Sequence, residues 1–328
     1  MIAVRTENLT KCFKKLIAVN SISFEVSEGE IFGFLGPNGA GKTTTINMLS
    51  TLISPTRGRA EIMGHDIVRK RNAVRHSIGV VFQEPALDSR LTGRENLEFH
   101  ALMYGMPLHE RRSRITEVLS LVELADKADA LVETYSGGMK RRLEIARGLM
   151  HRPKVLFLDE PTIGLDAQTR RHIWEYVKKL NEDTGITMIL TTHYMEEADA
   201  LSHRVLILDH GDIVALDTPA ALKDVLGGDV MELTVGNDAA AFIGEMRATS
   251  WIKKTVAEND MIRLTMEKAE TRVTAVVQAA ANHGAVLLSV SVRKPSLDDV
   301  FIHYTGKTIR ENGGGNDKPR GFRHHGRR

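Results

Sequence analysis

The chain has 328 residues, 42% of them hydrophobic, which is enough for two domains with cores of their own. Lys and Arg number 44 against 42 Asp and Glu, and a net charge of +2 argues against a dedicated nucleic-acid binder. The single cysteine, Cys12, excludes an internal disulfide and a cysteine zinc site, and no apolar run reaches the ~18 residues of a membrane span. With no signal-peptide pattern at the N-terminus, the chain is expected to be cytosolic, and any membrane role needs another subunit.

Ile22, Phe24 and Val26 alternate as in a half-buried strand, and "IFGFL" (31–35) reads as a strand buried on both faces. Next comes G-x-x-x-x-G-K-[ST] over Gly36, Pro37, Asn38, Gly39, Ala40, Gly41, Lys42 and Thr43, with Thr44 after it. Ile46, Leu49 and Ile53 then recur at helical spacing. Strand, glycine-rich loop and helix form the context in which this pattern holds nucleotide phosphates. The glycines let successive N–H groups curl around the phosphates, and the helix adds its positive end. Lys42 is expected on the β- and γ-phosphates and the Thr43 hydroxyl on Mg²⁺. Kinases, GTPases, motors, repair proteins and transporters all use such a loop.

Ile115, Val118, Leu119 and Val122 place a helix in the middle of the chain. "YSGGM" (135–139) then sets Ser136, Gly137 and Gly138 ahead of a helix that can bury Leu143, Ala146, Leu149 and Met150. Alone this is a helix cap; beside a phosphate loop it suggests a second anion-binding helix end. One γ-phosphate cannot easily use both ends within a compact monomer. A head-to-tail dimer resolves this, each copy's serine-glycine end closing the other's loop. "VLFLDEP" ends a buried strand with Asp159, placed to hold Mg²⁺, and Glu160, placed to polarise an attacking water. A helix bearing Ile173, Val177 and Leu180 leads to a third buried strand, "ITMILTTH". Strands alternating with helices imply a parallel sheet. "VLILDHGDIVAL" reads as a hairpin turning at "DHGD".

Gly227 and Gly228 mark a boundary. Beyond it the pattern predicts a strand (Val230–Val235), a helix (Asp238–Ala248), two strands meeting near "ENDM", a helix with Val273, Val276, Val277 and Ala280 on one face, and a strand (Ala285–Arg293). This β-α-β-β-α-β order is that of the ferredoxin-like split βαβ. Ser296 and Asp299 form a capping-box-like pair before a short helix. Met231, Met246, Met261 and Met266 are expected to be core packing. The basic tail, residues 311–328, lacks periodicity and is expected to be disordered.

Six motifs in order resemble the nucleotide-binding subunit of ATP-binding-cassette (ABC) transporters over roughly residues 1–220. They are "GPNGAGKTT", Gln83 in "VVFQE", "YSGGM", "VLFLDE", "GLD" ending at Asp166, and His193 in "TTHYMEEAD". The resemblance implies an α/β P-loop NTPase fold over residues 1–226. That fold has a parallel core sheet, an antiparallel β subdomain and a helical subdomain at about 86–150, with a small α+β ferredoxin-like C-terminal domain over 229–310. By the same resemblance Gln83 contacts Mg²⁺ and relays nucleotide state to the membrane partner. Ser136 and Gly138 contact ATP held by the other subunit, Asp166 lies at the subunit interface, and His193 holds the γ-phosphate and the attacking water. Phe13 falls where the family stacks an aromatic ring on adenine. Tyr135 and Met139 depart from the usual leucine and glutamine of the signature. No N-K-x-D guanine-reading motif is present, so ATP is expected as the nucleotide.

"LTGRENLEFHALMYG" and "SVRKPSLDDVFIHYTGK" further resemble the daunorubicin/doxorubicin-resistance type of exporter ATPase. This implies a homodimer, peripheral on the inner face of the cell membrane, that energises a separate permease exporting a drug-like or lipid-like compound. A non-transport ABC ATPase acting on nucleic acid or the ribosome is the alternative, disfavoured by the single uninterrupted cassette and small charge surplus. The C-terminal appendage is open to regulatory, dimer-stabilising or ligand-binding roles.

Overall fold

The protein was analysed as a computed structural model that describes residues 1–84, 86–237 and 239–306. The tail expected to be disordered, 311–328, lies outside the described residues, as does the predicted helix start at Asp238. The chain opens with β1 (Ile2–Phe13), β2 (Leu16–Ser27) and β3 (Ile31–Leu35), and the phosphate loop delivers α1 (Lys42–Leu49). Then come β4 (Arg57–Ile62), β5 (His65–Asp66), α2 (Arg71–Ser77) and β6 (Ile78–Val81), followed by α3 (Gly93–Met103), α4 (Leu108–Leu121) and α5 (Gly137–Leu149). The next elements are β7 (Val155–Asp159), α6 (Ala167–Thr184), β8 (Thr187–Thr192), α7 (Met195–Leu201), β9 (Arg204–Asp209), β10 (Asp212–Asp217) and α8 (Pro219–Asp224). The last stretch holds β11 (Asp229–Val235), α9 (Ala240–Ala248), β12 (Ile252–Glu258), β13 (Met261–Met266), α10 (Val273–Asn282), β14 (Leu287–Arg293) and α11 (Leu297–Thr305).

A six-stranded sheet in the order β10-β9-β3-β8-β7-β6 organises the site. All of its neighbours pair in parallel except the β9–β10 hairpin. Every residue of β3, β7 and β8 is buried, which explains their unbroken apolar runs. Register brings the strand ends together: Leu35 pairs with Thr192, and Asp159 with Thr191. The phosphate loop, the Asp159–Glu160 end and the segment holding His193 therefore emerge at one edge of the sheet, where ligands of open α/β sheets bind.

A second, antiparallel sheet (β2-β1-β4-β5) packs on the first. Phe24 reaches across to Phe32 and Phe34, with ring centroids 5.3–5.6 Å apart. The helical region packs around Leu97, Ile115, Val118, Leu143 and Ile145. Thr92 and Glu95 form a capping box that starts α3.

The third sheet runs β12-β13-β11-β14, antiparallel throughout. One face packs Met231, Leu233, Ile262, Leu264 and Met266 against Phe242 and Met246 of α9 and Val276 of α10. Two expectations fail here. Met261 is 39% exposed, because it alternates to the face opposite Ile262, Leu264 and Met266. Val277 is also exposed, because α10 turns Val276, Ala279 and Ala280 inward instead.

The apolar side of α11 (Leu297, Val300, Phe301) does not join this core. It packs with Leu35, Met195, Ala198, Ile207, Leu222 and Leu226, under the phosphate-loop strand and α7. The open face of the third sheet carries Glu232, Arg263 and Arg293 beside Val230 and Met261. Arg293 grips Asp299 of α11 through both carboxylate oxygens, while Asp299 also completes the capping box with Ser296. Helix α11, within the expected unit of 229–310, thus lays its apolar side on Leu35, α7 and α8.

Candidate active site

At Gly36 and Gly41 the phosphate loop leaves no room for a side chain. A Cβ on Gly36 would fall 2.2 Å from the Leu208 carbonyl oxygen. Gly41 adopts φ 105°, in the left-handed region, and a Cβ there would meet the Ala18 carbonyl oxygen at 2.5 Å. Ala40 is buried beneath the loop and donates its N–H to Pro37 O at 3.2 Å. Lys42 Nζ donates to the Gly36 and Pro37 carbonyls at 2.7 and 3.0 Å and lies 3.7 Å from Glu160 Oε1. Thr43 Oγ1 donates to Asp159 Oδ1 at 3.2 Å, and Thr191 donates to the same oxygen.

Glu160 sits in a left-handed turn, φ 47°, just past the end of β7. A non-glycine residue there costs on the order of 1–3 kcal/mol and persists where its surroundings hold it. Two hydrogen bonds do so: Glu160 N donates to Thr191 O at 3.2 Å and to Thr191 Oγ1 at 3.0 Å. The turn aims the carboxylate between Lys42 and His193, whose Nδ1 lies 3.3 Å from Glu160 Oε2. Burial alone would raise the Glu160 carboxyl, but His193 and Lys42 together outweigh it and bring it below its ordinary value. Its ionised form, the one a general base needs, is thereby favoured. Asp159 moves the other way: burial pushes its carboxyl up despite the bonds from Thr191 and Thr43.

Phe13, Asn38, Gly39, Lys42, Thr43, Thr44, Gln83 and Glu160 line one cavity of about 380 Å³. Phe13 is 45% exposed at its rim, so it is no core residue. Ser136, Gly137, Gly138 and Asp166 do not line that cavity. Ser136 caps α5 by accepting from Met139 N at 3.3 Å. Gly137 and Gly138 abut Leu165 and Thr169, where a Cβ would fall 3.0 and 2.8 Å away. Asp166 caps α6, accepting from Gln168 N and Thr169 N, each at 3.0 Å. One chain thus assembles the loop, Asp159, Glu160, His193 and Gln83, while the serine-glycine end lines no part of that cavity.

A family model described as ABC transporter matches residues 19–163. The linearmycin resistance ATP-binding protein of Bacillus subtilis is 42% identical over 311 residues, covering 94% of this chain and 100% of that protein. The chain belongs to the ABC transporter family of ATP-binding proteins. The daunorubicin/doxorubicin resistance ATP-binding protein of Streptomyces peucetius is 38% identical over 307 residues (93% of this chain, 92% of that protein). A Nod factor export ATP-binding protein of Paraburkholderia xenovorans is 37% identical over 314 residues (94% and 99%). Among solved structures, a dimeric ATP-binding cassette in a post-hydrolysis state with ADP and Pi is 32% identical. It covers 66% of this chain and 98% of its own, with a TM-score of 0.58. An ABC transporter subunit of Clostridium perfringens gives 29% identity, 69% and 93% coverage and a TM-score of 0.64. The chain is an ATP-binding, ATP-hydrolysing subunit of this family. Among the described residues no helix is long and apolar enough to cross a membrane.

The ATPase also uses residues that the motifs did not single out. Arg141, buried in α5, donates to the carbonyls of Pro161, Asp159 and Phe82 at 2.7, 3.0 and 2.7 Å and pairs with Glu144 at 2.9 Å. It ties the helix after the signature to the turn holding Glu160 and to the residue before Gln83. Its only sequence signal was the i, i+3 spacing of Arg141 and Glu144. Tyr135, at the usual leucine position, is buried and donates its hydroxyl to Lys127 O at 2.6 Å.

Proposed function

We infer that two copies of this ATPase close head to tail around two ATP–Mg²⁺, and that closing and reopening drive a separate membrane permease. The observation that carries the reading is the Glu160 carboxylate, fixed between Lys42 and His193 beside the phosphate loop. In this reading Glu160 accepts a proton from the attacking water, His193 positions that water and the γ-phosphate, and Lys42 neutralises developing charge. Thr43, Asp159 and Gln83 offer the hard oxygen donors that would hold Mg²⁺, which shares such sites with substrate phosphates and would supply further charge neutralisation. The Thr43 and Asp159 oxygens already meet at 3.2 Å beside the loop, which fits such an ion. Ser136 and Gly138, outside that cavity, close the partner's loop, with Asp166 at the seam, and Phe13 stacks on adenine.

Phe99, Leu102, Met103 and Leu108, on α3 and α4 shortly after Gln83, are all more than half exposed. Such an apolar patch on a charged chain supports a docked partner, here the permease, and with it a peripheral position of the ATPase on the cytoplasmic face. Resistance and export in the relatives' names support a drug-like or lipid-like cargo. The residues from 1 to about 226 form the ATPase domain and the third sheet with α9 and α10 a ferredoxin-like accessory unit, a reading supported by its strand order. The test is Glu160→Gln. It is expected to bind ATP with unchanged affinity, lose about 10²–10⁴-fold in turnover and elute as a dimer with ATP. Turnover near that of the unaltered protein refutes the base assignment.

A further inference from the structure

Helix α6, capped by Asp166, carries Arg170 and Trp174 one turn apart, so both lie on one face. That face meets the segment around His193. The Arg170 guanidinium lies over the Tyr194 ring, 4.1 Å from its centroid. The Tyr194 ring also lies against His193, with ring centroids 4.1 Å apart and planes tilted by 40°. Arg170 forms no ion pair among the described residues, and its Nε is buried without a hydrogen-bond partner among them. The charge of Arg170 is felt by the buried Glu197 carboxylate without a contact ion pair, and the face of an aromatic ring offsets part of what desolvating the guanidinium costs. The stacking thus fixes both partners: the ring satisfies the cation, and the cation holds the ring against His193.

One turn along, Trp174 Nε1 donates to Glu197 Oε1 at 2.9 Å, and Thr162 Oγ1 donates to the same oxygen at 2.8 Å. Glu197 is completely buried on α7, and Thr162 lies two residues beyond Glu160. Burial raises the Glu197 carboxyl, opposed by the bonds from Thr192, Thr162 and Trp174. Helix α6 therefore holds the chain on both sides of the Glu160–His193 pair, through Glu197 and through Tyr194. The first turn of α6 also touches the signature, since Gly138 packs on Thr169.

We propose that Arg170 and Tyr194 are positioning residues for hydrolysis: Arg170 clamps the Tyr194 ring against His193 and so keeps His193 within reach of Glu160. The inference rests on the reading of Glu160 and His193 as the hydrolytic pair. A displacement of His193 of about 1 Å is enough to cost on the order of 10²-fold in rate, whereas ATP is held by the loop and Phe13.

The experiment measures steady-state ATP hydrolysis and affinity for a fluorescent ATP analogue, using the full chain. Tyr194→Ala is expected to lower kcat about 10- to 100-fold, with analogue affinity and KM within about threefold of the unaltered protein. Tyr194→Phe keeps the ring and is expected to retain at least about half of kcat. Arg170→Gln lowers kcat as well, and combining it with Tyr194→Ala costs no more than Tyr194→Ala alone, because the two act through one contact. Tyr194→Ala with kcat within twofold overturns the proposal, as does Tyr194→Phe falling as far as Tyr194→Ala, or losses that multiply in the double variant. If Tyr194→Ala fails to fold, analogue affinity is lost with kcat. Arg170→Gln then decides alone, and unchanged kcat with intact affinity overturns the clamp. His193→Ala in the same assay separates the two levels. Full turnover there refutes the hydrolytic pair itself, whereas lost turnover beside an unaffected Tyr194→Ala refutes only the clamp.

Discussion

Gly93 opens α3 directly after the Thr92 cap, and the Tyr135 hydroxyl occupies the space a side chain there would need. A Cβ built on Gly93 falls 2.5 Å from Tyr135 Oη, but 3.4 Å from the ring carbon that bears it and 3.3 Å from the Ala128 carbonyl oxygen. Removing a single oxygen thus relieves most of the clash. Gly93→Ala alone is expected to destabilise the ATPase by about 1–3 kcal/mol, the usual cost of overpacking. Tyr135→Phe alone costs about 1 kcal/mol, because the 2.6 Å bond to Lys127 O is lost and that carbonyl keeps only its bond from Ala130 N. In the Tyr135→Phe background the cost of Gly93→Ala falls to near zero, helped by the better helix propensity of alanine. The coupling is therefore about 1–3 kcal/mol, well above the ~0.5 kcal/mol scatter of independent sites. Urea unfolding of the four proteins, with a common m-value, measures it. A cost for Gly93→Ala that is the same in both backgrounds refutes the reasoning. It would also dissolve the link between the signature's first residue and the helix that follows Gln83.

Further expectations concern the site and its supports. Phe13→Ala should weaken ATP binding by about 1–3 kcal/mol, the worth of one stacked base, with Phe13→Tyr close to unaltered; equal affinities by analogue titration remove Phe13 from the adenine site. Mixing Ser136→Arg with Lys42→Ala subunits should restore at most one working site per mixed dimer, and recovery of both in single-turnover assays rules out the head-to-tail arrangement. Phe301→Ala should lower stability by about 3–5 kcal/mol, since its ring is buried beneath Leu35 and α7; a unfolding midpoint that stays put counts against that packing. For Asp299, burial works to raise the carboxyl, but Arg293 and Ser296 together bring it below its ordinary value. A depressed folded value stabilises at neutral pH, and that contribution is lost as pH falls through it. The stability gap between the unaltered protein and Arg293→Met should therefore narrow below about pH 4, and a gap constant with pH in urea titrations excludes the linkage.

The phosphate loop, Asp159 and the buried strands were legible because each is a local pattern whose chemistry needs those residue types side by side. The parallel sheet followed from the alternation of strands and helices, but its strand order did not. What stayed hidden depends on distant partners. Nothing in "LDEP" announces that Glu160 turns left-handed, because Thr191, from another strand, enforces it. The three carbonyls that Arg141 gathers come from separate segments, so only its spacing to Glu144 was visible. Met261 and Val277 mislead for a simpler reason: apolar type suggests burial, while the alternation of β13 and the facing of α10 turn both outward. The capping pair at Ser296 was plain, but not where the helix it starts would lie, since an amphipathic helix does not name the surface it covers.

That last placement bears on how the protein can be cut. The glycines at 227 and 228 look like a natural place to end an isolated ATPase. A chain ending there loses α11, and with it the cover over Leu35, Met195, Leu222 and Leu226. Such a fragment would present a greasy floor directly behind the phosphate loop and would tend to self-associate for reasons unrelated to ATP. Dimerisation measured on it would confuse a wound with an interface, so the shortest fragment fit for that measurement runs through Gly306.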